Sequence, residues 1–157
     1  NGNQNEVVHA TSSTAGHGTN AKLNSIFDEW VESNGTTITM AAPYNTYNIS
    51  VSAVSSSNYI LSGTDRNGSV SGNDPTVTVT AGDTINFSIS APGHPFYIKT
   101  SYVGGSGSQV STGTVTGTQG TTNSTLSWNT SGVSAGTYYY VCSPHASFGM
   151  GGSIVVT

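Results

Sequence analysis

Residues 138–156 read YYYVCSPHASFGMGGSIVV. An aromatic β-type run at 138–141 and an aliphatic one at 153–156 flank nine residues, CSPHASFGM at 142–150. The chain holds no other cysteine and one other methionine. A thiol, an imidazole and a thioether therefore meet in one loop between two strands of a sulfur-poor protein.

Working outward, the same short β-type runs recur upstream: TTITMAA at 36–42, YNISVSAV at 47–54, NYILSG at 58–63, TVTVTAGDTINFSIS at 76–90, PFYIKT at 95–100 and STLSWNT at 124–130. Turn residues separate them. Seven to eight short strands predict an all-β sandwich or barrel. Gly82-Asp83 is a tight-turn signal. The stretch SGTDRNGSVSGNDP at 62–75 reads as a loop, because its Gly, Asn, Asp and Pro content opposes a strand. Residues 104–123 are low in complexity, and Val110 and Val115 fit either a short strand or a mobile connection. Trp128 alternates with Leu126 and is expected in the core.

Composition sets limits on function. The 157 residues suit one domain, with room for an appendage. Charged residues make up 6%, with three Lys+Arg against seven Asp+Glu, and the net charge of −4 excludes a nucleic-acid binder. No apolar run approaches the roughly 20 residues of a membrane-spanning helix. One cysteine forms no internal disulfide. Ser, Thr, Gly and Asn dominate the polar positions, as in secreted, cell-surface and virion proteins, and a chain starting at Asn1 without methionine is expected to be a processed product. Together these predict an extracytoplasmic protein: periplasmic, secreted or part of a surface or virion assembly.

Residues 1–46 read as an N-terminal leader ahead of a domain at 47–157. Residues 1–19 have no periodicity, and His9 and His17 there are expected to be solvated. Leu23, Ile26, Phe27, Trp30 and Val31 recur at three- and four-residue intervals, which predicts an amphipathic helix over about 21–33. Asn20 or Ser25 would cap its start, and Asn34-Gly35 would stop it. Its apolar face suits packing on the body of the protein or self-assembly with a neighbouring subunit.

Thiolate, neutral imidazole and thioether are soft or borderline ligands that suit copper and not magnesium or calcium. A trigonal copper site takes two histidines and one cysteine, with a long axial methionine. Cys142, His145 and Met150 supply three of these from one loop. His94 is the candidate for the second imidazole, because it stands between the runs ending INFSIS and beginning PFYIKT, at the rim of a sandwich.

These residues resemble the C-terminal copper loop of plastocyanin-like cupredoxins, with Cys-Ser-Pro-His, four residues, Met and a closing strand. The likeness extends to DPTVTVTAGDTINFSISAPGHPFYI at 74–98 and covers roughly 47–157. It implies a Greek-key sandwich, with His94, Cys142, His145 and Met150 as ligands of one copper ion cycling between Cu(I) and Cu(II). Phe96, Tyr140 and Phe148 would restrict water around it. His145, with Ala146, Phe148, Gly149 and Pro92 as an apolar patch, would face a redox protein partner. Two departures stand out. Pro95 follows His94 where many members place an asparagine that ties the ligand loops, and Asp65, Asp74 and Asp83 are scattered where some plastocyanins cluster acids, which argues against photosynthetic partners.

The resemblance implies an electron carrier and no enzyme, since an axial methionine leaves no open position for substrate. Four histidines, two of them in the leader, are too few for a multicopper oxidase or nitrite reductase. The second reading is a structural or adhesive subunit of a virion, pilus or surface assembly, joined through residues 1–46.

Overall fold

The computed structural model describes residues 43–157 and the backbone of two short strands before them, β1 (Glu29–Val31) and β2 (Thr37–Thr39). The chain divides into two units, Asn1–Pro43 and Tyr44–Thr157. In the first, β1 and β2 pair antiparallel with Trp30 opposite Ile38. This corrects the helix expected over 21–33 where it covers residues 29–31. Trp30, Val31, Thr37, Ile38 and Thr39 are aromatic or β-branched, types that fit a pleated pair better than a helix. The rest of that helix, its caps, and His9 and His17 lie outside the described residues.

The second unit holds ten strands in two sheets: β3 (Thr46–Ala53), β4 (Tyr59–Asp65), β5 (Gly68–Asn73), β6 (Val77–Val79), β7 (Thr84–Ser90), β8 (Phe96–Lys99), β9 (Thr114–Thr116), β10 (Thr125–Asn129), β11 (Gly136–Cys142) and β12 (Gly151–Val156). One sheet has the order β5-β4-β3-β7-β10-β9 and the other β6-β12-β11-β8. The pairs β3·β7 and β6·β12 are parallel and the others antiparallel. Burial follows the two-residue period of a strand. Ile49 and Val51, Ile85, Phe87 and Ile89, and Leu126 and Trp128 point inward from the first sheet, and Val77, Val79, Phe96, Ile98, Ile154 and Val156 complete one core with them. Each fully buried aliphatic or phenylalanine side chain contributes about 1.5–3 kcal/mol through its removal from water.

Ten strands exceed the expected seven to eight because two edges carry weak sequence signals. β4 runs on to Asp65, and β5 pairs with it through most of the stretch read as a loop. The chain reverses at Arg66-Asn67, where the Asp65 carboxylate accepts the N–H of Asn67 at 2.8 Å and of Thr78 at 2.7 Å. Only Val70 of β5 is buried, so this edge strand needs little apolar sequence. β9 is the opposite edge of the same sheet and contains Val115, while Val110 is buried in a loop, its N–H donating to the Ile98 carbonyl of β8 at 3.1 Å. The Gly82-Asp83 turn is present, but it carries the chain from one sheet to the other and makes no hairpin, since β6 and β7 belong to different sheets.

Residues 44–157 contain five charged side chains, Asp65, Arg66, Asp74, Asp83 and Lys99, and each has an internal partner. Asp83 is fully buried and forms a bidentate pair with Arg66 at 2.8–3.2 Å. Its carboxylate also accepts the N–H groups of Asn45 and Thr80, both at 2.8 Å. Asp74 accepts the N–H of Tyr59 at 2.9 Å.

Burial pushes the Asp74 carboxyl up from 3.8 to about 6, against the lowering effect of the Tyr59 and Gly151 N–H groups. The native state therefore keeps a proton that the unfolded chain releases near pH 4. This contribution is complete below about pH 4 and is lost as pH rises through about 6. After discounting for partial exposure it amounts to about 1 kcal/mol. Because the lowered His94 acts with the opposite sign over the same range, the loss is read as a difference: urea unfolding of the metal-free protein between pH 4 and 7 is expected to show parent stability falling relative to Asp74→Asn.

Candidate metal centre

His94 lies in the connection from β7 to β8, which joins the two sheets. A turn fixes its backbone: the His94 N–H donates to the Ala91 carbonyl at 3.0 Å, and Gly93 before it has φ 79°, the left-handed region where glycine carries no Cβ penalty. Cys142 is the last residue of β11, opposite Phe96 of β8, so sheet pairing brings the two segments together. From Cys142 the chain makes a short 3-10 turn over Ala146–Phe148, ended by left-handed Gly149 at φ 89°, and returns as β12.

The loop is closed by its own backbone. The His145 N–H donates to the Cys142 carbonyl at 3.2 Å, the Met150 N–H to His145 at 3.3 Å, and the Cys142 N–H to Met150 at 3.1 Å. Pro95 has no N–H to donate, but its carbonyl ties the two ligand loops, accepting the Ser143 N–H at 3.2 Å.

This framework gathers His94, Cys142 and His145, the group of three potential metal-binding side chains among the described residues. Their Nδ1 atoms are 3.2 Å apart, and the Cys142 Sγ lies 3.8 Å from that of His94 and 3.3 Å from that of His145. A point equidistant from all three atoms is about 2 Å from each, comparable to roughly 2.0–2.1 Å for a metal–imidazole bond. The donor set thus fits a copper ion in both chemistry and size. Met150 is fully buried at the end of the same loop.

The electrostatics suit uptake of a cation. Burial and the adjacent His145 imidazole hold His94 below the usual histidine range, so its ring stays neutral. Burial raises the Cys142 thiol, while the Tyr59 hydroxyl and a backbone bond from His145 favour its thiolate. Tyr59 and Cys142 act on each other, since burial, then the Cys142 charge and its hydrogen bond, push the Tyr59 hydroxyl far above its ordinary value.

The surroundings differ partly from the sequence reading. Phe96 and Tyr140 are fully buried and stacked, with ring centroids 5.7 Å apart and planes 8° apart. Phe148 is 67% exposed and does not wall the site from water; its ring stands 6.1 Å from that of His145, at the end of a turn with no buried residue. Two residues of the site went unread in the sequence. Tyr59 donates its hydroxyl to the His94 carbonyl at 3.0 Å. Lys99 is fully buried, with its ammonium on the carbonyls of Val103, at 2.8 Å, and Gly105, whose own N–H donates to the Ser143 carbonyl at 3.1 Å. A lone lysine in the apolar run FYIKT was the available signal for the second. The first left none.

The family model described as copper binding proteins, plastocyanin/azurin family, matches residues 60–157. Among solved structures, reduced rusticyanin is 23% identical, with 89% of this chain and 97% of that chain covered and a TM-score of 0.44. Rusticyanin from Thiobacillus ferrooxidans is 21% identical over 89% and 95%, with a TM-score of 0.43. A pseudoazurin from Sinorhizobium meliloti is 22% identical over 73% and 75%, with a TM-score of 0.41. No curated protein matches the chain.

Proposed function

Because the chain belongs to the plastocyanin/azurin family of copper-binding proteins, we propose that it carries single electrons between redox proteins, acting as a carrier and not as an enzyme. Its cofactor is one copper ion. In this reading His94, Cys142 and His145 are the equatorial ligands and Met150 the axial thioether, with residues 47–157 as the functional domain. The observation that supports it most is the triangle of two Nδ1 atoms and one Sγ, which leaves room for an ion about 2 Å from both nitrogens and, slightly out of their plane, about 2.3 Å from the sulfur.

Bound copper supplies a one-electron couple, and the protein supplies a fixed frame for it. The backbone bonds closing the 142–150 loop, and the Ser143 tie to Pro95, hold the ligand atoms where an ion would need them in either oxidation state. Phe96 and Tyr140 exclude water from beneath the site. Three of the five exposed large hydrophobics among the described residues, Tyr102, Val103 and Phe148, belong to the copper loop or to the neighbouring loop that Lys99 holds against it. They suit brief docking of a redox partner beside His145. No helix among the described residues is long and apolar enough to cross a membrane, and the Ser, Thr and Asn surface favours an extracytoplasmic setting. The assembly-subunit reading depends on residues 1–46, and no described feature favours it.

Spectroelectrochemistry of the copper-loaded full chain is expected to give one reversible one-electron couple. Irreversible reduction, or a second copper per chain, would overturn the carrier reading. Phe148→Glu is expected to keep that couple and to slow electron self-exchange between copies about tenfold, the effect of losing about 1.4 kcal/mol at a docking hot spot. Line broadening in mixed-valence NMR samples measures the rate.

A further inference from the structure

The chain at His94 is short of hydrogen-bond donors. Pro92 and Pro95 flank Gly93 and His94 and carry no N–H. The His94 N–H is already committed to the Ala91 carbonyl within its own turn. Its carbonyl is held from elsewhere, by the hydroxyl of Tyr59 at 3.0 Å. Tyr59 comes from β4, in the sheet opposite the one that carries Cys142. It is fully buried, with its ring in edge contact with Phe96 at 5.2 Å, tilted against Tyr140 at 6.3 Å, and its own N–H anchored on Asp74 at 2.9 Å. A phenol so enclosed cannot turn to water, and its proton is committed to the His94 carbonyl.

We propose that Tyr59 is a positioning residue of the metal centre: its hydroxyl holds the His94 carbonyl, and with it the His94 imidazole, in place across the two sheets. The proposal rests on the copper reading above. Releasing the His94 carbonyl would let the ligand segment shift, and a displaced imidazole changes the environment that bound copper would experience.

The test compares the full chain with Tyr59→Phe and Thr130→Val, each loaded with copper. Thr130 is also fully buried and its hydroxyl donates to the Asp83 carbonyl at 2.9 Å, at the far end of β7 from His94. Y59F is expected to keep one copper per chain and to shift both the thiolate-to-copper absorption band and the potential, while T130V moves neither. Parent-like band and potential in Y59F, or equal shifts in T130V, would overturn the proposal. A parent chain with no such band would sink the copper reading itself, which is a different result. Should Y59F not fold, NMR of the unmutated Cu(I) protein decides: a slowly exchanging Tyr59 hydroxyl proton is expected from its bond to the His94 carbonyl, and a rapidly exchanging one overturns the proposal.

Discussion

Serine in place of Cys142 is expected to give a folded protein that has lost the intense visible band of a copper–thiolate site entirely. Cys142 is the single sulfur of the three-atom cluster and the single cysteine of the chain, so no other side chain can restore that chromophore. The fold should survive. Serine is slightly smaller, and its hydroxyl can use the partners now beside the thiol at a cost of about 1–3 kcal/mol for a buried polar group. Absorption after addition of Cu(II) to parent and C142S reads the result, and a C142S protein with the parent spectrum would remove Cys142 from the site. Because burial raises the thiol, the metal-free protein holds it protonated, and copper uptake must release that proton. Uptake by the parent is therefore expected to weaken as pH falls, and pH-indicator dye detects the released proton directly.

Asp83→Ala should produce the largest loss of stability, at the other end of the molecule. The carboxylate is fully buried and joins three segments: the Arg66 guanidinium from the β4–β5 turn, the Thr80 N–H after β6, and the Asn45 N–H before β3. Removing it strands those donors, and breaking a buried pair from one side costs about 3–5 kcal/mol. Arg66 is 25% exposed and can recover some hydration, but the two backbone donors cannot move without displacing strands. Small domains have about 5–15 kcal/mol in total, so the urea midpoint should fall by a third or more. The copper spectrum of the protein that remains folded is expected to be unchanged, since the substituted residue stands seven strand residues from the His94 loop. A midpoint within error of the parent would show that water replaces the carboxylate without loss.

The cluster of His94, Cys142 and His145 was legible because its candidate ligand types are concentrated. Cys142, His145 and Met150 fall within nine residues between two β-type runs, and His94 is the remaining histidine placed at a strand boundary. Local sequence carries such spacing well. Tyr59 was illegible for the opposite reason: it lies 35 residues from His94, in a run that reads as ordinary strand, and only the stacking of two sheets brings its hydroxyl to the site. Edge strands were lost similarly. β5 needs only Val70 inward, and its Gly, Asn and Ser residues look like a loop until β4 supplies the pairing. The apolar spacing around Trp30 and Val31 suits a helix as written, but a facing run of Thr, Ile and Thr gives residues 29–31 a strand partner instead. The hydrophobic character of Phe148 was plain, but its placement was not, because an aromatic side chain at a turn can close over a site or stand outside it.

The placement of the charged residues reaches beyond stability. Within 44–157 the Asp65, Arg66, Asp74, Asp83 and Lys99 side chains all bind parts of their own domain, and the other acidic residues of the chain, Glu6, Asp28, Glu29 and Glu32, precede residue 44. Residues 44–157 consequently contribute only a weak field around His145, their three aspartates being set against Arg66 and Lys99. From these residues alone approach to that face gains little long-range attraction, so a fragment spanning 44–157 should meet a partner in the unsteered range of about 10⁵–10⁶ M⁻¹s⁻¹, with little dependence on ionic strength. Selectivity there would come from contact shape alone, a mode of recognition that works alike in fresh water and in brine.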